Sequence, residues 1–233
     1  MKNLLLLSNS TNYGETYMQW CSAIIASFVA GKSDSIIFIP YAGVGVSYSD
    51  YTNKVNDALF KHGLSVQNLD NFEDKKAAIA NASAIFVGGG NTFHLLKMLQ
   101  LNDLIKPVRN AVENGIPYVG WSAGSNIACP TIGTTNDMPI VQPLSFEGLN
   151  LVPFQINPHF TQDTLPKHGG ESRLQRLKEY LTVNPTFKVV ALPESTYLFS
   201  DDMDQLYYKG SLPGKILTKE KTIQLNNLSK ISN

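Results

Sequence analysis

The chain has little cysteine, no excess charge of either sign and no long apolar run, and each shortage excludes a class of protein. Cys21 and Cys129 are too few and too far apart for a disulfide framework or a zinc knuckle. Nineteen basic residues balance nineteen acidic ones, and no block of like charge occurs. That removes the electrostatic footprint of a nucleic-acid binder or of a protein drawn to anionic membranes. The leucine run Leu4–Leu7 is shorter than an export-signal core or a membrane span and lacks a small-residue cleavage site, so it reads as a buried first strand. No internal repeat and no linker interrupts the sequence. The expectation is a cytoplasmic protein with a small neutral or zwitterionic partner, no nucleic acid, no membrane and no metal knuckle.

What is present suits one substantial core. The chain has 233 residues, 43% of them hydrophobic, which fits a single α/β domain over 1–233 better than two. Apolar runs at 4–7, 36–39, 64–69, 84–87, 118–121, 151–156 and 188–192 read as strands. Between them, helical spacing is predicted over 16–29, 51–62, 73–81, 93–99, 102–114, 122–129 and 173–180. Short strands fill the rest after Thr196. Strands alternating with helices imply a doubly wound, mostly parallel sheet with helices on both faces.

Two glycine clusters sit where such sheets bind ligands, at the carboxyl ends of strands. Gly120-Trp121-Ser122-Ala123-Gly124 is G-x-S-x-G, the pattern of a nucleophile elbow, in which a serine occupies a sharp strand-to-helix turn. The glycines lack Cβ atoms, so strand and helix can close around a strained serine. Upstream, Gly88-Gly89-Gly90-Asn91 follows the fourth strand. It has neither of the two phosphate-loop spacings, so an oxyanion hole is the better reading. Ala123 supplies one N–H donor, and Gly90, with Gly89 next, the other.

A serine hydroxyl needs a base within hydrogen-bond reach and a third group to orient that base. Of the four histidines, His62 lies at a helix end and His94 early in a helix, which leaves His159 and His168. His159 follows Pro158 at the end of a predicted strand and is the better placed. Two acids compete for the third role, Asp137 and Glu194. The order Ser122, Asp137, His159 is that of α/β-hydrolases, whereas Ser122, His159, Glu194 needs a different topology. Spacing alone leaves the choice open.

Several stretches together resemble the peptidase E family, the aspartyl dipeptidases whose relatives include cyanophycinases. They are Leu4–Ser10, Phe38–Gly43, Val87–Phe93, Gly120–Gly124, Thr134–Ile140, Gln155–Phe160 and Leu192–Glu194, in order along most of the chain and weakening after about Ser200. The resemblance implies a flavodoxin-like sheet related to class I glutamine amidotransferases. It also implies a serine-type dipeptidase that cleaves dipeptides with an unblocked N-terminal aspartate, without metal or cofactor, as a monomer or homodimer. By the same resemblance Ser122 is the nucleophile and His159 the base, Gly90 and Ala123 are the oxyanion donors, and both Asp137 and Glu194 fall on positions proposed for the third member. Glu194 is favoured because it ends a predicted strand, and Asp137 stays as the other possibility or as a ligand for the substrate ammonium. Gly170-Glu171-Ser172-Arg173 resembles the family's G-E-x-R, so Arg173 is the candidate for gripping the aspartate side chain, with Asn91 and His168 assisting. Ser195 stands where the family pattern has glycine. The other readings are a different serine hydrolase on the same scaffold, such as a cyanophycinase or an esterase, and a catalytically inactive protein that binds aspartyl ligands.

Overall fold

The computed structural model describes residues 2–32, 34–163, 169–201 and 203–231. His168, one of the candidate binding residues, lies outside them.

Five strands form the parallel part of a large sheet: β1 (Leu4–Leu7), β2 (Ile36–Ile39), β3 (Val66–Asn68), β4 (Ala84–Val87) and β5 (Tyr118–Trp121). Parallel pairing runs β1-β5-β4-β2-β3. Their unbroken apolar runs follow from burial on both faces. Leu4, Leu6, Ile37, Ile39, Ile85 and Val87 point into one core, and Leu5, Leu7, Ile36, Phe38, Ala84 and Phe86 into the other.

Helices cover each face. α1 (Ser22–Phe28) and α2 (Tyr48–Leu59) bury Ile25, Val55 and Leu59 against the second core. α3 (Lys75–Ala80), α4 (Thr92–Leu101), α5 (Ile105–Glu113) and the single turn α6 (Ala123–Asn126) pack on the first. Capping side chains set several starts: Ser47, Asp74 and Asn91 accept from the backbone N–H three residues on, for α2, α3 and α4. No helix among the described residues is long and apolar enough to cross a membrane.

The second half departs from the predicted arrangement. β6 (Gln155–Asn157) and β7 (Val189–Ala191) do not join the large sheet; with β10 (Gly214–Leu217) and β11 (Thr222–Leu225) they form a separate four-stranded sheet, in the order β11-β10-β7-β6. The large sheet is instead completed by β8 (Tyr197–Ser200), β9 (Leu206–Lys209) and β12 (Lys230–Ile231), all antiparallel. Parallel and antiparallel pairings therefore balance, and the fold is mixed α/β rather than mostly parallel. Tight connections explain two of these pairings: β9 after β8 and β11 after β10 return through a few residues and can only pair antiparallel. α7 (Arg173–Val183) lies on the second sheet through Leu177 and Leu181, beneath a capping box of Ser172 and Gln175.

Two predicted helices are shorter than their apolar patterns. The one expected over 16–29 begins only at Ser22, because Met18 holds φ 58° and breaks the run. The one expected over 122–129 stops after Asn126, since the carbonyls of Ile127, Ala128 and Cys129 bind the N–H groups of Leu149, Leu151 and Asn150 instead.

Candidate active site

The carboxyl ends of β1, β4 and β5 lie side by side, and each delivers part of the site. β5 runs straight into Ser122, whose backbone has φ 54° and ψ −111°, a region few non-glycine residues occupy. The strain is held from several directions. Ser122 N–H donates to Leu7 O at 3.1 Å, and Ser125 Oγ donates to Leu7 O and Gly120 O. The flanking glycines are obligatory here: a Cβ at 120 would lie 2.3 Å from Gly124 O, and one at 124 only 2.1 Å from Val87 O.

His159 Nε2 lies 2.8 Å from Ser122 Oγ, and His159 Nδ1 lies 3.1 Å from Glu194 Oε1. The second sheet builds this contact. β6 and β7 pair in parallel with Asn157 opposite Ala191, and the ladder continues through Leu192 N–H to Asn157 O and Phe160 N–H to Leu192 O. Residues two and three positions past that pair, His159 and Glu194, are thereby set next to one another. The histidine and glutamate side chains are 38% and 51% exposed, so their ion pair adds little stability and its value is positional.

Residues just past the end of β1 join the two sheets at this point. Ser8 Oγ accepts from His159 N–H and donates to Leu192 O, both at 2.8 Å, while Asn9 Oδ1 accepts from Ser195 N–H at 2.9 Å. The end of β1 thus ties down the backbone of the histidine and of the residue after the glutamate. Asn136 Nδ2 donates to Pro158 O, and Asn157 Nδ2 donates to Asn136 Oδ1 and Thr134 O, so the strand leading to His159 is braced from its other side. A serine or asparagine just past a buried strand was the available signal. Both His159 and Ser195 have positive φ, 51° and 62°, a conformation that glycine adopts without strain.

The glycine loop lies against the serine. A Cβ at Gly89 would meet Ser122 Cβ at 3.0 Å, and Gly90 has φ 135° with Ala42 O only 2.1 Å from where its Cβ would be. Tyr51 Oη donates to Gly89 O and Trp121 Nε1 donates to Tyr51 Oη, which fixes the loop to α2 and β5. Among the described residues the N–H groups of Gly90 and Ala123 donate no hydrogen bond. Asn91 caps α4 by accepting from His94 N–H and donates to Met138 O.

The structure brings Glu194, not Asp137, to the imidazole. Asp137 Oδ2 accepts from Thr92 N–H, Thr92 Oγ1 and Thr135 Oγ1 at 2.6–3.0 Å, at the start of α4, and Oδ1 takes no donor among the described residues. The remaining histidines are held elsewhere: His94 Nδ1 meets Tyr41 O, and His62 Nε2 meets Ser22 Oγ. Arg173 is the first residue of α7, where a cation opposes the helix dipole. Its guanidinium is half-buried, and Nη1 is buried with no partner among the described residues. Desolvation, then Arg176, push its pKa down, and Asp137 pulls the other way. A partly desolvated arginine with a vacant donor is a site for a carboxylate.

A serine, an imidazole and a carboxylate in one hydrogen-bonded line, on a mixed α/β scaffold, is the arrangement by which serine hydrolases make an alcohol nucleophilic. The family whose sequence model matches is Peptidase family S51, over residues 4–206. A protein named peptidase E from Nostoc sp. is 51% identical over 201 residues, covering 86% of this chain and 83% of its own. Another so named, from Shigella flexneri serotype 5b, is 48% identical over 195 residues, covering 84% and 85%. Among solved structures, that of a peptidase from an acI-B1 Actinobacterium matches with a TM-score of 0.75 at 19% identity, covering 100% of this chain and 97% of its own. The chain belongs to peptidase family S51 and is a serine peptidase.

Proposed function

We propose that this protein is a dipeptidase that cleaves dipeptides bearing an unblocked N-terminal aspartate, through an acyl-enzyme on Ser122. The observation that carries the proposal is the line Ser122 Oγ, His159 Nε2, His159 Nδ1, Glu194 Oε1, with links of 2.8 and 3.1 Å. His159 takes the serine proton as Oγ attacks the peptide carbonyl, and Glu194 holds the imidazole with Nδ1 protonated and stabilises the imidazolium. The Gly90 and Ala123 N–H groups, with Gly89 as the neighbouring donor, receive the oxyanion. Loss of one such donor costs about 10²–10³ in rate in comparable enzymes. His159 then protonates the leaving amine, and water, activated by the same imidazole, releases aspartate.

Specificity requires a cation for the aspartate side chain and an anion for its ammonium. Arg173 supplies the first through its guanidinium, whose Nη1 has no partner among the described residues, and Asp137 Oδ1 the second. Leaving either substrate charge unpaired on burial is costly, which selects against asparagine, glutamate and acylated aspartate. The parallel half of the large sheet, covered on both faces, supports reading the scaffold as flavodoxin-like and of the class I glutamine amidotransferase kind. The first core runs through both sheets, which supports treating the chain as one unit.

Hydrolysis of Asp-Leu beside Asn-Leu, Glu-Leu and N-acetyl-Asp-Leu, with chelator present, tests the reading. Turnover of Asp-Leu alone is expected. Equal turnover of all four, or none, overturns the substrate assignment.

A further inference from the structure

We infer that the cavity between Ser122 and α2 is the subsite for the leaving amino acid, with Lys54 binding its free α-carboxylate. The inference rests on the dipeptidase reading and names the element that makes the enzyme end its substrate after two residues.

A cavity of about 590 Å³ opens beside the nucleophile, and its lining includes Ser122, His159, Gly89 and Gly90 on one side and Tyr17, Tyr51 and Lys54 on the other. That volume suits a small ligand. No aspartate or glutamate lines it, so it offers a substrate ammonium no counter-charge. The amino-terminal residue therefore belongs on the Arg173 and Asp137 side, and this cavity is left for the other half of the dipeptide.

Lys54 is the cation that the lining of this cavity provides. It lies on α2 one turn from Tyr51, on the same face, and Tyr51 is hydrogen-bonded to the glycine loop. The ammonium is consequently carried on an element fixed to the oxyanion donors. Lys54 Nζ sits 4.5 Å from the centroid of the Tyr17 ring and makes no ion pair or hydrogen bond among the described residues. A lysine held over an aromatic face with its donors vacant is set to receive an anion, and in a dipeptide the leaving residue's carboxylate lies two bonds beyond the scissile nitrogen. Val44 and Val46, both exposed at 51% and 41%, line the same space and give an apolar side chain a surface to cover. A third residue would turn the carboxylate into a neutral amide and forfeit the charge-assisted contact to Lys54, which is a physical basis for disfavouring longer peptides.

The test compares kcat and KM for Asp-Leu and Asp-Leu-amide in the wild type, Lys54→Met and Lys54→Arg, all as the full chain. Lys54 is exposed, so these variants are expected to fold. The wild type is expected to favour the free acid by about tenfold or more in kcat/KM, the scale of one charge-assisted hydrogen bond. In Lys54→Met that ratio falls toward one through a raised KM for the acid, and Lys54→Arg restores part of it. Equal use of acid and amide by the wild type, or a preference that survives Lys54→Met, overturns this inference while the dipeptidase reading stands. So does a loss in Lys54→Met that falls equally on both substrates, since that would put Lys54 on the aspartate side chain. A folded wild type that cleaves neither substrate overturns the dipeptidase reading and this inference with it.

Discussion

Glu194 Oε1 lies 3.1 Å from His159 Nδ1, although 35 positions separate the two residues, because β6 and β7 pair in parallel and end level with one another. The carboxylate is more exposed than the imidazole it orients, so exchange at this position has little to disturb in the core. Glu194→Gln is therefore expected to lower kcat by about 10²–10⁴ while the thermal midpoint stays within a degree or two. Asp137→Asn is expected to behave in the opposite sense at the fold, losing about 1 kcal/mol through the weakened contacts at the start of α4. A larger kcat loss in Asp137→Asn than in Glu194→Gln would reverse the two roles.

Ser122 carries its strain in the backbone, and alanine has the same Cβ. Ser122→Ala should thus keep the circular dichroism spectrum and melting profile of the parent while turnover falls by about 10⁴ or more. Hydrolysis at parental rates would remove the nucleophile assignment.

Ser195, at φ 62°, pays for a conformation that glycine adopts freely. After the larger chain entropy of glycine in the unfolded state is subtracted, Ser195→Gly is expected to stabilise by about 0.5–1 kcal/mol, a rise of roughly 1–3 °C in Tm for a chain of this size. Differential scanning calorimetry reads this directly, and a lowered Tm would mean that the serine side chain contributes something its backbone does not reveal.

Both thiols are buried in apolar surroundings, and burial pushes Cys21 from an ordinary 9.0 up to about 12 and Cys129 further in the same direction. An aromatic disulfide reagent at pH 8 should leave both unlabelled until denaturant is added. The sign for stability follows from the same shift. The folded state retains these protons where the unfolded chain releases them, so this contribution is complete below about pH 9 and is lost as pH rises toward about 12. Burial raises Tyr118 likewise and adds to the fall. Urea midpoints that stay level from pH 8 to 11 would contradict this account.

The sequence by itself determined the main features that depend on near neighbours, the helix ends near Met18 and Asn126 excepted. The apolar runs at Leu4–Leu7, Ile36–Ile39, Ala84–Val87 and Tyr118–Trp121 suit strands buried on both faces, since they are the length of a strand and short for a buried helix. The glycines around Ser122 mark a turn where backbones touch, and Gly120 and Gly124 do meet carbonyl oxygens there. Tertiary structure decided what depends on which strand lies beside which. That β6 and β7 would leave the large sheet was not legible, because strand partners are chosen by contacts distant in sequence. Their pairing selected Glu194 rather than Asp137 for His159. The same long-range packing made Ser8 and Asn9 the tie between two sheets, and brought Lys54 to the wall of the cavity beside Ser122. Local pattern records the conformation of a segment and the face it buries; the side chains that meet across a sheet edge are fixed only when the strands are in register.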